Sequence, residues 1–124
     1  MARTKKPPIA QRDRAVIGAL LRDLRRAAGY RSVDAAAETK GCPASRQTIY
    51  QYERGAMSPS LPQFLELVSF YVLEAPRGVD AKPDADLRAH GVAAVTRALD
   101  LPAYHVATAR DLIAKMQPVA GAAR

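Results

Sequence analysis

Apolar residues in the first half of the chain recur at helical spacing. Val16, Ile17, Leu20, Leu21 and Leu24 make one stripe, which predicts a helix from about Arg12 to Ala28 stopped by Gly29. Ser32 suits an N-cap and opens a second helix that closes at Gly41. Its interior, Ala35-Ala36-Ala37, carries almost no bulk, which favours helix and also lets a neighbouring helix approach closely. Cys42-Pro43-Ala44 is a turn, because Pro43 cannot continue a helix, and Ser45 caps the next one. That third helix turns Ile49 and Tyr52 inward and leaves Arg46, Gln47, Tyr50 and Gln51 on its other face, before Gly55 ends it. Pro59 and Ser60 start a fourth, with a broad apolar face of Leu61, Phe64, Leu65, Leu67, Val68 and Tyr71.

The second half is organised differently. Residues 75–83 read as a linker rich in Pro and polar residues. Two amphipathic stretches follow, 84–99 with Leu87, Val92, Val95 and Leu99, and 103–116 with Val106, Ala109, Leu112, Ile113 and Met116. Asp100-Leu101-Pro102 breaks them, so the pair reads as an antiparallel hairpin over 84–117. Each stripe must be covered, either by the preceding domain, completing its core, or by a second copy of the chain. The expected organisation is all-α: an arm over 1–11, a domain over 12–74, the linker, the hairpin, and a tail over 118–124.

Charge changes this picture more than composition does. Residues 1–60 hold twelve Lys and Arg against five Asp and Glu, whereas residues 61–124 hold seven of each. The whole net charge of +7 therefore lies in the half with the polar third helix, as expected of a polyanion-binding module. The alternative is generic solubility charge. Much of the 48% hydrophobic content is Ala, and without Trp it favours helix over sheet. A lone cysteine, Cys42, excludes an internal disulfide. Neither a signal peptide in residues 1–15 nor an apolar run of membrane length is recognisable, so a cytoplasmic protein with no membrane partner is expected.

The order Gly29, Ser32, Ala36-Ala37, Gly41, Ser45, Ile49, Glu53-Arg54-Gly55 and Pro59-Ser60-Leu61 resembles the XRE-type helix-turn-helix proteins, the lambda repressor-like DNA-binding family, over residues 14–73. The resemblance implies that the helix beginning at Ser45 enters the major groove of double-stranded DNA. It places Arg46, Gln47 and Gln51 at base-reading positions, with Tyr50 beside them for a thymine methyl or a phosphate. Arg suits guanine and Gln suits adenine, each bidentate contact discriminating by roughly 1–3 kcal/mol. Ser45, Arg54, Ser58 and Ser60 fall at phosphate positions, to which Arg22 and Arg31 are natural additions. Arg25 matches an Arg that in relatives pairs with the Glu at position 53, a partner that offsets the desolvation of a buried carboxylate. Two departures stand out: the turn between Gly41 and Ile49 is two residues longer than usual, and Val33 replaces a phosphate-anchoring Gln. The short fifth helix of relatives is not recognisable at 73–80, and Phe70 occupies a usually small position that is exposed unless something covers it.

Arg3, Lys5 and Lys6 in the arm suit a minor groove or a phosphate backbone, and serve equally well as a solvated tail. Neutralising about six phosphates would give a log–log salt slope near −5. His90, His105 and Cys42 lack metal-ligand spacing, and no catalytic constellation or cofactor motif is present, so neither metal, cofactor nor enzyme activity is expected. The function expected is a sequence-specific transcriptional regulator, a repressor binding a short palindromic operator as a homodimer. The alternative is a protein-interaction or antitoxin-like module whose C-terminal hairpin binds a partner protein.

Overall fold

The computed structural model describes residues 11–74, 81–104 and 111–116. All regular structure among the described residues is helical: α1 (Gln11–Ala27), α2 (Val33–Ala37), α3 (Arg46–Glu53), α4 (Leu61–Ser69), α5 (Asp84–Leu99), the short turn α6 (Pro102–Tyr104) and α7 (Asp111–Met116). A π-helical turn, Phe70–Glu74, prolongs α4.

Local chemistry sets most of these boundaries. Ser32, Ser45 and Ser60 sit in extended backbone and accept from the N–H three residues on. At Ser60 the cap is reciprocal, because Gln63 Oε1 returns to the Ser60 N–H at 2.9 Å. α1 and α3 end alike. Gly29 and Gly55 adopt φ of 97° and 76°, and each gives the same pair of closing bonds. Tyr30 N–H reaches Arg25 O and Gly29 N–H reaches Arg26 O; Ala56 N–H reaches Gln51 O and Gly55 N–H reaches Tyr52 O. α2 is shorter than its sequence suggests. It stops at Ala37, where the Thr39 hydroxyl donates back to Ala35 O at 3.0 Å and draws the chain into a turn before Gly41.

One core runs through both halves of the chain. Ile17, Leu21 and Leu24 of α1, Ile49 and Tyr52 of α3, Phe64 and Leu67 of α4, and Leu87, Ala94 and Ala98 of α5 are all buried in it. α5 packs along α1 and the π-helical turn, which leaves Phe70 only 1% exposed. Lys82 N–H donates to Ala27 O at 2.9 Å, so the described end of the linker closes the last turn of α1. Tyr104 completes the other end: its ring tilts against Phe64 and its hydroxyl donates to Pro59 O at 2.8 Å. Burial pushes that phenol's pKa up to about 12. Nearby, Asp13 Oδ2 accepts from Ala103 N–H at 3.4 Å.

The face α5 buries is not the stripe of large residues. Leu87 is buried, but Val92 is 67% and Leu99 42% exposed, and Val95 is half-buried. Leu87, Gly91, Ala94 and Ala98 face inward instead, followed by Leu101. Close approach explains the choice, since a Cβ at Gly91 would lie 2.9 Å from Val72 Cγ2. In α4, Leu65 likewise stays 39% exposed rather than joining the apolar face. The stretch expected as one helix from Ala103 is described only as α6 and α7; Val106 and Ala109 lie outside the described residues, and Ile113 and Met116 are exposed. The arm, most of the linker and the tail also lie outside them. Among the described residues no helix is long and apolar enough to cross a membrane, and no group of His, Cys, Asp and Glu is placed to hold a metal.

Gly18 marks where α1 crosses the end of α3. A Cβ there would lie 2.5 Å from Tyr52 O and 2.9 Å from Glu53 O, backbone atoms that cannot step aside alone. Gly18→Ala should therefore lower unfolding free energy by about 1–3 kcal/mol through overpacking, despite an intrinsic helix gain of about 1 kcal/mol. Thermal melting checks this; an unchanged or raised midpoint would remove the close-crossing account.

Candidate nucleic-acid interface

α3 is fastened from behind and open in front. Ile49 and Tyr52 are buried against α1, and the Tyr52 hydroxyl donates to Gln63 Oε1 of α4 at 3.4 Å. At the C-terminal end Glu53 meets Arg25 of α1 in a two-pronged pair: Nε to Oε2 at 2.8 Å and Nη2 to Oε1 at 3.0 Å. The third nitrogen, Nη1, donates to Tyr30 O at 2.9 Å. The side chains of Arg25 and Glu53 are only 5% and 7% exposed, so each charge relies on the other in place of water. Arg14 adds a tie, donating from Nε to Gly55 O at 3.0 Å just past the helix.

The outward face carries Arg46, Gln47 and Tyr50, all exposed, with Tyr50 at 52%. They line one side of a cleft of about 420 Å³ whose other side is Ser32, Val33 and Asp34 from the start of α2. Gln51 is half-buried and does not line that cleft. Arg54 extends the surface, its guanidinium 5.3 Å from the centre of the Tyr50 ring. The face thus offers hydrogen-bond donors, amide groups and one aromatic ring, a combination suited to base edges and phosphate.

The other positions are distributed unevenly. Ser45 Oγ accepts from Thr48 N–H and donates to the Thr48 hydroxyl at 3.0 Å, while remaining at the exposed start of α3. Ser60 is exposed at the start of α4, with its Oγ accepting from Gln63 N–H at 3.2 Å. Ser58 differs. Its Oγ is buried on the side of the Tyr104 hydroxyl, so it is not offered to a phosphate in this conformation. Arg31 is exposed and Arg22 half-buried. Arg3, Lys5 and Lys6 lie outside the described residues. The Cys42 thiol donates to Ala44 O at 3.4 Å within the turn, and burial pushes its pKa up, leaving it a poor nucleophile.

Two contributors escape a reading of residue patterns. Gly18 looks like an unremarkable helix residue until α3 is laid against it. Asp34 reads as an acid favoured by the N-terminal dipole of α2, yet its Oδ1 lies 3.4 Å from Arg46 Nε. No local signal joins those two positions.

With this geometry the chain belongs to a helix-turn-helix domain family, whose model matches residues 16–77, from within α1 to just past the π-helical turn. No curated protein and no solved structure shows a significant match to the chain. The helix-turn-helix domain is that of a DNA-binding regulator.

Since the buried pair fixes α3 on α1, Glu53→Leu, which strands a guanidinium, and Arg25→Met, which strands a carboxylate, should each cost about 3–5 kcal/mol in unfolding free energy. The double change Arg25→Met with Glu53→Leu should cost clearly less than the two single losses added. Denaturant titration of the three variants checks this, and additive losses would show that the two charges are not coupled.

Proposed function

We propose that this helix-turn-helix protein is a sequence-specific transcriptional regulator that reads double-stranded DNA through α3 and represses by occupying its site. The observation that carries the reading is the division of α3. Its back is immobilised by Ile49, Tyr52 and the Arg25–Glu53 pair, while Arg46, Gln47 and Tyr50 project together from its front. A charge surplus confined to residues 1–60 supports it further. In this reading Arg46 and Gln47 contact bases, with Tyr50 and Gln51 alongside. Ser45, Arg54, Ser60, Arg22 and Arg31 hold phosphate, Ser58 acts at most through its backbone, and Arg3, Lys5 and Lys6 follow the duplex.

The working form is a homodimer on a short palindrome. An apolar groove of about 380 Å³ lies between the π-helical turn and α5, walled by Val68, Val72, Leu73, Val92 and Val95. Leu73 and Val92 are 58% and 67% exposed there, and Arg88 at its edge complements Glu74 at the end of the adjoining turn. A second copy related by a two-fold axis would cover the apolar walls and pair those charges reciprocally. The same groove also favours the second reading, a protein-interaction or antitoxin-like module with a different partner chain.

Sedimentation velocity checks the dimer: a faster-moving species should appear as concentration rises, lost on Leu73→Glu with Val92→Glu. A chain that stays monomeric through the micromolar range, with or without DNA, would exclude it. For base reading, Arg46→Ala with Gln47→Ala should weaken binding to a selected cognate duplex by roughly 2–6 kcal/mol and to random duplex far less, with a wild-type salt slope near −5. Equal losses on both duplexes would defeat base reading, and binding that is undetectable at low salt would favour the protein-interaction reading.

A further inference from the structure

The cleft between the first turns of α2 and α3 contains one acidic side chain among the residues that line it, Asp34. A carboxylate is out of place on a surface meant to approach phosphate. The dipole at the start of α2 is not a sufficient reason for it, because α2 has five residues and its Ser32 cap is already in place. The carboxylate instead meets Arg46, with Oδ1 3.4 Å from Nε and the two side chains 59% and 72% exposed. At that distance and exposure the pair adds little to stability. Its effect falls on where the guanidinium points. The closest approach is to Nε, the nitrogen at the inner edge of the group, and a fork held there can present its outer edge to guanine O6 and N7.

We propose that Asp34 is a specificity-determining residue that works in two ways. It orients the Arg46 fork for guanine, and it repels the phosphates of every duplex, a penalty offset only where Arg46 finds its base. Asp34 lines the same cleft as Arg46, Gln47 and Tyr50, and any phosphate that comes within about one Debye length of it, ~10 Å, feels the carboxylate at ordinary salt. The result is discrimination gained by weakening the wrong complexes as well as strengthening the right one. The inference rests on the DNA-reading function proposed above and names how one of its positions is made selective.

The test uses the full chain as wild type, Asp34→Ala, Asp34→Asn and Arg46→Ala. Wild-type protein first selects sequences from a random duplex pool. Each variant is then titrated on the selected duplex, on the same duplex with the guanine lost on Arg46→Ala replaced, and on random duplex. Asp34→Ala should bind random duplex more tightly and reduce the guanine preference, each by about two- to fivefold, the range of an exposed ion pair. Asp34→Asn, which keeps an oxygen without the charge, should match Asp34→Ala on random duplex and fall between wild type and Asp34→Ala in guanine preference. In an Arg46→Ala background, Asp34→Ala should still tighten random binding but leave base preference unmoved. If Asp34→Ala strengthens both duplexes by the same factor, Asp34 contributes bulk charge alone and the inference is overturned. If wild type selects no sequence, the DNA-reading function fails and takes the inference with it, so the two failures are told apart. Because Asp34 is exposed, circular dichroism should show all variants folded.

Discussion

The Arg25–Glu53 pair joins the first helix to the end of the third, and the position of everything on α3 follows from it. Both side chains are almost fully buried, and the guanidinium uses all three nitrogens, two on the carboxylate and one on Tyr30 O. Burying two charges is costly, and a well-packed apolar pair in the same place would often be as stable or more so. What the ion pair supplies is direction. Two parallel bonds between planar groups define an angle as well as a distance, which a contact between aliphatic chains does not. The backbone crossing at Gly18, tight against Tyr52 O and Glu53 O, reinforces that angle from the neighbouring turn. α3 has eight residues, too few to be stable alone, so its order depends on these attachments.

The second half of the chain bears on this arrangement without touching α3 extensively. α5 lies along α1 and the π-helical turn, on other elements than those that present Arg46 and Gln47. By burying Phe70, Tyr71 and Val72 it makes the core continuous, so α1 is held between α3 on one flank and α5 on another. Tyr71 lies close enough to Glu53 for the carboxylate to join burial in pushing its phenol pKa up. Use of Gly91, Ala94 and Ala98 as the contact face has a second consequence: the larger Val92 and Leu99 are displaced to the surface. Close packing inside and an apolar groove outside are thus two results of the same helix rotation.

How far the residues alone foretell this depends on the range of the interaction. Helix starts at Ser32, Ser45 and Ser60 and stops at Gly29 and Gly55 are decided within a few residues, and the sequence displays them. The outward placement of Arg46, Gln47 and Tyr50 follows from the burial of Ile49 and Tyr52 by helical period. Features that depend on two distant segments are not visible in this way. Leu87, Val92, Val95 and Leu99 look like one apolar stripe because bulk is the usual signal of burial, whereas α5 is seated by its smallest residues. α2 ends early because a Thr39 hydroxyl competes for a backbone carbonyl. The pairing of residues 25 and 53 follows from family likeness, not from spacing; the inward turn of Ser58 Oγ and the approach of Asp34 to Arg46 have no local sign.

Rigidity behind α3 would be of limited use if the side chains in front were free to wander. A long arginine loses up to about 2 kcal/mol of rotamer entropy when it is immobilised in a complex. Two of the front residues are already partly held: Arg46 leans on Asp34, and Arg54 lies over the Tyr50 ring. Each contact is weak because it is exposed, but a weak contact is enough to bias rotamers without locking them. If α3 reads DNA as proposed, the bias lowers the ordering cost on a duplex that fits. Back and front of α3 therefore use contacts of different strength for the same end: a strong buried pair fixes the helix axis, where any error would move every side chain, and weak exposed pairs guide individual side chains, which must still adjust to the surface they meet.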